Sequence, residues 1–250
     1  DERGGEVSAR ARAAELGRVY LGLNAAGRVR FLDLLARDYS MDRAAFGEAV
    51  ERWRAAGGDP AVSAAVEQEL RRLLVPPSIR LLSQFNGLPE GVKFLVDLRA
   101  DLLRLAKSHA ALGVLAEDVR ELLAGWFDVG FLNLDRISWN APAALLEKLI
   151  DYEAVHEISS WRDMKKRLAS DRRCLAFFHP RMPDEPLIFV EVALVDGMAA
   201  SVQTLLDESQ PALDAQKADT AIFYSISNCQ RGLTGVSFGK MPASASMPAT

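Results

Sequence analysis

A glycine-rich segment near the C-terminus, QRGLTGVSFGK (230–240), is the strongest candidate for chemistry in this sequence. It follows the apolar stretch TAIFYSIS, which is predicted to be a buried β-strand. Glycines after a strand let the backbone approach an anion closely, and consecutive amide N–H groups can then surround phosphate oxygens. Arg231 and Lys240 flank the segment and could neutralise phosphate charge. The spacing Gly-x-x-Gly-x-x-x-Gly matches neither the dinucleotide nor the Walker pattern, so a glycine turn without a ligand is an equally good interpretation.

Other residue types that carry chemistry are scattered. His109, His156 and His179 show no spacing typical of a metal site, so no metal is predicted. His179 stands at the end of a predicted strand, before a proline, and a structural role is favoured over that of a general base. Cys229 lies next to the glycine-rich segment, but no partner in the sequence marks it as an activated nucleophile.

Size and composition indicate a globular protein of one large domain or two modest ones. The chain has 250 residues, 49% of them hydrophobic, and a net charge of −4, which gives no general attraction to nucleic acid or to an anionic membrane. Two cysteines exclude a disulfide scaffold. The first ten residues, DERGGEVSAR, lack the apolar core of a signal peptide, and no apolar run approaches the ~18 residues of a membrane span. We therefore expect a cytoplasmic protein without a membrane or nucleic-acid partner.

The first part of the chain has helical periodicity. Apolar residues recur at helical spacing from residue 10 to residue 150, as in Phe31, Leu34 and Leu35. Breaks are predicted at AGGDP, VPPS and GLPEG, where glycine and proline interrupt the pattern. No strand is predicted before about residue 170, so residues 1–152 are predicted to be a helical bundle.

The second part is rich in aromatic and β-branched residues. RCLAFFHP (173–180) and PLIFVEVALV (186–195) are predicted to form a hairpin, with turn chemistry in RMPDE between them. SVQTLLDE is predicted to be a short helix, and TAIFYSIS is the third strand. One of Glu191 and Asp196 is expected to face solvent. The fold class is therefore α+β, with an all-helical domain followed by a strand-rich domain.

Longer stretches carry a resemblance to a known family. CLAFFHPRMPDEPLIFVEVALV (174–195), AIFYSISNCQRGLTGVSFG (221–239) and residues 125–168 closely resemble malonyl-CoA decarboxylase, and LLSQFNGLPEG (81–91) does so more loosely. The resemblance implies a helical domain for self-association, over residues 1–152, as in the tetramers of the family. It also implies the first part of a GNAT-like mixed α/β domain that binds acyl-CoA, over residues 153–239. Residues 240–250 are atypical of the family and are predicted to be a disordered tail.

The resemblance gives the glycine-rich segment a role. In GNAT folds the loop after the central strand binds the pyrophosphate of coenzyme A through backbone amides. Thr234 stands where Gln or Arg is usual, and Ser237 stands at the position of the first glycine. The implied ligands are malonyl-CoA and acetyl-CoA, and neither a metal nor another cofactor is implied. The residues implied to bind coenzyme A are Thr234, Gly235, Val236, Ser237, Phe238, Gly239 and Lys240.

The reaction implied by the resemblance is conversion of malonyl-CoA to acetyl-CoA and CO2. The family uses a serine in a Ser-Pro-x-Pro segment and a later histidine, and neither has a counterpart in the 250 residues. Ser244 and Ser246 lie in a proline-broken tail and are not assigned, so no catalytic residue is predicted here and this chain alone is expected to be impaired or inactive. Two alternatives remain: a non-catalytic, oligomerising remnant that binds acyl-CoA, and, more distantly, a GNAT acetyltransferase.

Overall fold

The structure, a computed structural model, describes residues 6–56, 59–199 and 201–237. The chain divides into two compact units, Asp1–Trp126 and Phe127–Thr250. The first unit is helical, and the second contains a four-stranded sheet. The α+β fold class expected from the sequence is confirmed.

The first unit contains seven α-helices among its described residues. Asparagine and aspartate at three helix starts accept hydrogen bonds from backbone N–H groups that have no partner within the helix: Asn24 from Gly27, Asp42 from Ala45, and Asp59 from Ala61. These caps stabilise the first turns of the three helices. The helices are α1 (Glu6–Gly22), α2 (Ala25–Asp38), α3 (Arg43–Ala55), α4 (Pro60–Leu73), α5 (Pro77–Ser83), α6 (Gly91–Leu105) and α7 (Ala110–Ala124).

The three predicted breaks fall between these helices. Pro60 and Pro77 each occupy the first residue of a helix, where the missing N–H group costs nothing. Gly91 begins α6 against the backbone of Phe85, and a Cβ atom there would collide with the Phe85 carbonyl oxygen. The core of the unit includes the fully buried side chains of Leu32, Leu35, Leu82, Phe85, Leu95, Leu102, Leu112 and Leu123.

The second unit is built on an antiparallel sheet with the strand order β1-β2-β3-β4. Its elements in chain order are β1 (Asn133–Ile137), α8 (Ala143–Tyr152), α9 (Trp161–Arg167), β2 (Arg172–His179), β3 (Met182–Val195), α10 (Val202–Leu206) and β4 (Thr220–Asn228). The register places Glu191 of β3 between Cys174 of β2 and Ser225 of β4. One face of the sheet packs on α8 and α9 around Leu149, Met164 and other buried side chains.

The second unit differs from the sequence-based expectation at its start. β1 lies well before residue 170, where no strand was expected, because four of its five residues are exposed and it lacks the apolar alternation of a half-buried strand. The units divide between Trp126 and Phe127, earlier than the expected boundary at residues 152 and 153. Since β1 pairs with β2 and α8 packs on β3, residues 133–152 belong with the sheet.

The hairpin of β2 and β3 is confirmed, but its turn is tighter than expected. β3 already begins at Met182, so most of RMPDE is strand, and the chain turns at Pro180 and Arg181. The predicted short helix is α10, and the predicted third strand is β4. Within the described parts of the chain, no helix is both long and apolar enough to cross a bilayer.

Candidate functional site

The end of β4 leads directly into a hydrogen-bonded turn. The N–H group of Cys229 still pairs with the carbonyl oxygen of Leu187 at 2.9 Å, and Gln230 follows. Residues Arg231–Leu233 then form a single 3₁₀ turn. The N–H of Leu233 donates to Gln230 O at 3.0 Å, and the N–H of Val236 donates to Leu233 O at 2.9 Å. We call residues 231–237 the glycine turn.

The side chains of the glycine turn divide into an anchored set and an exposed set. Leu233 and Val236 are buried, whereas Thr234, Gly235 and Ser237 are exposed. Gly235 has a φ of 76°, in the left-handed region that residues with a Cβ atom avoid. The turn therefore presents backbone to solvent while two apolar side chains hold it down.

An open pocket lies beside the glycine turn. Its walls are Leu187 of β3, Asn228 at the end of β4, Gln230, and residues 233–236. Among the described residues, the N–H group of Gly235 meets no hydrogen-bond acceptor and the guanidinium of Arg231 forms no ion pair. An unpaired amide in the wall of a pocket, with an exposed cation in the same turn, is suited to an anionic group.

A polar network anchors the residue that starts the turn. The side-chain amide of Gln230 donates to the carbonyl oxygen of Pro186 at 2.9 Å and to Glu185 Oε2 at 3.4 Å. Glu185 in turn accepts from Lys148 Nζ at 2.7 Å and from the hydroxyl of Tyr152 at 3.2 Å. Lys148 and Tyr152 lie one helical turn apart on α8, so this helix and β3 together fix Gln230.

Burial and the Glu185 carboxylate raise the pKa values of two groups around this network, Tyr152 and Cys229. Burial raises the pKa of Tyr152 to about 12, and the negative charge of Glu185 adds to that shift. Burial, followed by the charges of Glu153 and Glu185, raises the pKa of Cys229 to about 12. The Cys229 thiol is therefore protonated at neutral pH, and a role as a nucleophile is disfavoured.

A second cluster ties the segment after α8 to β4. The carboxylate of Glu153 accepts from the hydroxyl of Ser225 at 2.8 and 2.9 Å, and from that of Ser227 at 3.1 Å. It also accepts from the backbone N–H groups of Val155 and His156, each at 2.8 Å. Glu153 therefore connects the segment after α8 to β4, the strand that leads to the glycine turn, by hydrogen bonds.

A buried ionic cluster joins α9 to β3. Arg167, 2% exposed, donates to Asp163 Oδ1 at 2.8 Å and to Glu191 Oε2 at 2.9 Å. Burial raises the pKa of Glu191 to about 7, although the Arg167 charge opposes the shift. Glu191 is therefore the buried member of the pair considered in the sequence, and Asp196 is the exposed one.

The structure places only part of the expected binding segment. Residues 234–237 lie on the glycine turn, whereas Phe238, Gly239 and Lys240 fall outside the described residues, as does the tail 240–250. The ring of His179 packs on Phe127 with centroids 4.6 Å apart. Over the described ranges, no group of three or more His, Cys, Asp or Glu side chains could hold a metal ion.

Sequence reasoning missed the anchors of the turn. Gln230, Glu185 and Lys148 are separated by tens of residues, and no motif spacing connects them. The only local signal is the i, i+4 relation of Lys148 and Tyr152, which is common on exposed helix faces. Their role emerges only when β3 and β4 are paired.

Fold and site together define a class: an α+β protein with a helical unit and an antiparallel sheet whose strand β4 ends in a glycine turn beside a pocket. Comparison with family models identifies the family. The family model described as "Malonyl-CoA decarboxylase N-terminal domain" matches residues 39–127. The model described as "Malonyl-CoA decarboxylase C-terminal domain" matches residues 130–243. The chain belongs to the malonyl-CoA decarboxylase family, which confirms the resemblance noted in the sequence.

Individual relatives agree with this assignment. The mitochondrial malonyl-CoA decarboxylase of Anser anser anser is 38% identical over 238 residues, covering 91% of this chain and 47% of the relative. That of Rattus norvegicus is 36% identical over 230 residues, covering 88% and 47%. The chain thus spans about half the length of the curated relatives it matches.

Solved structures show the same fold. The malonyl-CoA decarboxylase of Rhodopseudomonas palustris is 43% identical with a TM-score of 0.88, over 95% of this chain and 57% of that one. The enzyme of Agrobacterium vitis is 44% identical with a TM-score of 0.82, over 94% and 56%. Both are similar to this chain across its helical unit and its sheet.

Proposed function

We propose that the protein acts on malonyl-CoA, yielding acetyl-CoA and CO2, and that the glycine turn binds the pyrophosphate of coenzyme A. One observation supports the second part: a chain of this family ends β4 in a turn whose Gly235, with an unpaired N–H group, lines a pocket, and whose Arg231 is exposed. Backbone amides are well suited to phosphate oxygens because they donate without moving.

The chemistry proposed for the substrate divides into binding and bond cleavage. Cleavage breaks the bond between the carboxylate carbon and C2, and the electron pair moves onto the thioester as an enolate. Preorganised donors stabilise that oxyanion, and a proton delivered to C2 gives acetyl-CoA. Neither step requires electron transfer or a Lewis acid, so we propose that no metal or redox cofactor takes part. The described residues contribute binding: they hold the coenzyme A end while the acyl end reacts.

Three finer features are part of the proposal. A GNAT-type second domain is supported by the antiparallel order of β1 to β4 with the binding turn directly after β4. Self-association through the helical unit is supported by its exposed apolar side chains, among them Leu21 and Val114, which are 60% and 66% exposed. A cytoplasmic location is proposed for this chain, whereas the goose and rat relatives are named mitochondrial.

Calorimetric titration with malonyl-CoA tests the proposed function. We expect saturable binding that free coenzyme A competes away and that malonate alone does not reproduce. Absence of binding, or binding that coenzyme A does not displace, would contradict the proposal for the turn.

Product analysis on the same samples tests the reaction. Release of CO2 with formation of acetyl-CoA supports the decarboxylase. Binding without CO2 release agrees with the expectation that these 250 residues alone are impaired or inactive, and it is also the result expected of a non-catalytic acyl-CoA-binding protein. Consumption of acetyl-CoA in the presence of an amine acceptor favours an acetyltransferase.

A further inference from the structure

We infer that Glu185 is a positioning residue for the ligand's pyrophosphate: it orients Gln230 and thereby sets the conformation of the glycine turn. This inference rests on the proposed function of the turn. Glu185 lies on β3, and its role is exerted through Gln230 rather than by contact with the ligand.

The side-chain amide nitrogen of Gln230 has two acceptors on β3. One acceptor is the carbonyl oxygen of Pro186, at 2.9 Å, and the other is Glu185 Oε2, at 3.4 Å. Gln230 is itself 6% exposed, so water has little access to replace either acceptor. The carbonyl oxygen of Gln230 accepts the hydrogen bond that closes the 3₁₀ turn, from the N–H of Leu233. A fixed Gln230 side chain therefore fixes the first hydrogen bond of the turn.

Glu185 is held in place from α8. Lys148 Nζ lies 2.7 Å from Glu185 Oε1 and 2.9 Å from the carbonyl oxygen of Asp184, so the ammonium spans two consecutive residues of β3. The hydroxyl of Tyr152 donates to the other carboxylate oxygen at 3.2 Å. Each oxygen of Glu185 thus has a donor on α8, and the Glu185 side chain is 15% exposed.

The ion pair with Lys148 offsets the negative charge of Glu185. A carboxylate close to a pyrophosphate site would repel the ligand, and repulsion is strong where water is partly excluded. The ammonium at 2.7 Å cancels most of that charge. Glu185 can therefore accept from Gln230 without weakening anion binding, provided that Lys148 is present.

Loss of Glu185 should weaken the binding of only those ligands that carry phosphate. Without Glu185, Gln230 loses its charged acceptor and the turn samples more conformations, which must be ordered again on binding. Coenzyme A engages the turn through its pyrophosphate, whereas pantetheine has the same thiol arm and lacks phosphate. A residue that acts through the turn should affect the first ligand and spare the second.

The test compares both ligands on a small set of variants by calorimetry. We expect Glu185→Ala to weaken coenzyme A binding by about tenfold, the equivalent of about one hydrogen bond to a charged group, with pantetheine affinity unchanged. Glu185→Gln retains a carbonyl that can accept from Gln230 and should recover most of the affinity. Asp184→Asn is the matched control, because the side chain of Asp184 is exposed and takes no part in the network.

The outcomes separate this inference from the proposed function. If the unaltered protein does not bind coenzyme A, the proposed function fails. If it binds, and Glu185→Ala binds equally well or loses affinity for coenzyme A and pantetheine alike, only the role of Glu185 is overturned.

A second variant keeps the inference testable if Glu185→Ala does not fold. Lys148→Met leaves the Glu185 charge uncompensated, so we expect weaker coenzyme A binding at low salt and a smaller loss at high salt. An affinity equal to that of the unaltered protein at both salt concentrations would overturn the inference.

Discussion

The side-chain amide of Gln230 donates to the backbone carbonyl of Pro186 at 2.9 Å, which ties the start of the glycine turn to the neighbouring strand β3. Gln230→Ala leaves this buried carbonyl oxygen without its donor. We expect a loss of about 1–3 kcal/mol in the free energy of unfolding, measured by denaturant titration, and faster hydrogen exchange at the N–H of Leu233. Gln216→Ala, at an exposed site, is the control. Equal stability of the two variants would show that the bond contributes nothing.

Substitution of Gly235 tests the backbone conformation of the turn. Gly235→Ala places a Cβ atom at a φ of 76°, which costs about 1–2 kcal/mol or forces the turn to rearrange. We expect weaker coenzyme A binding. Gly197→Ala is a closely matched control, since Gly197 has a φ of 70°, open space around it and a place in a different loop. If both variants bind coenzyme A like the unaltered protein, the turn conformation does not matter for the ligand.

Two glycines of the helical unit are expected to respond in opposite directions. Gly91→Ala drives a Cβ atom into the carbonyl oxygen of Phe85, and we expect a loss of roughly 1–3 kcal/mol or more. Gly47→Ala, inside α3 with open space around it, should gain about 0.5–1 kcal/mol, because alanine loses less backbone entropy on folding. Thermal unfolding of both variants measures the difference. A Gly91→Ala protein as stable as Gly47→Ala would contradict the close approach at the start of α6.

The stability of the second unit should depend on pH through Glu191. Burial raises its pKa from 4.5 to about 7, so the folded protein keeps a proton that the unfolded chain has lost between these values. The free energy of unfolding therefore falls by up to about 3 kcal/mol as pH rises through this window, and it does not change further above it. Arg167 and Asp163 on α9 and Glu153 before it are the charged groups that act on Glu191.

Glu191→Gln isolates this titration. The variant resembles the protonated side chain, so we expect it to gain stability relative to the unaltered protein between pH 5 and pH 8. Denaturant titration at these two pH values measures the gain, and Glu147→Gln, at an exposed position of α8, is the control. A relative stability that does not change with pH would contradict the raised pKa.

The sequence predicted those elements whose residues repeat with a clear period. The helices of the first unit and strands β2 to β4 have strong apolar patterns, and proline or glycine marks several of their ends. β1 was missed because its side chains are exposed, and it is defined by pairing with β2 rather than by its own residues. The boundary between the units lies earlier than expected because β1 pairs with β2 and α8 packs on β3. These contacts between distant residues are not visible in the sequence.

The sequence could predict the segment that forms the glycine turn, but not the hydrogen-bond network that holds it. Glycines after an apolar strand indicated the turn, and family resemblance gave it a ligand. The buried charges could not be foreseen: Arg167 and Asp163 lie in a run of charged residues that is typical of a solvated helix face. Both are nevertheless buried, and Arg167 forms ion pairs with Asp163 and Glu191. A linear pattern does not show which charges a sheet will cover.

Under the proposed function, the glycine turn binds the pyrophosphate of coenzyme A through its backbone. The most direct test follows the amide resonance of Gly235 in ¹⁵N-labelled protein during titration with coenzyme A and, separately, with pantetheine. We expect a saturable shift of this resonance with coenzyme A, at the concentration that calorimetry gives for binding, and no comparable shift with pantetheine. A Gly235 resonance that stays in place while coenzyme A saturates the protein would show that the ligand binds elsewhere.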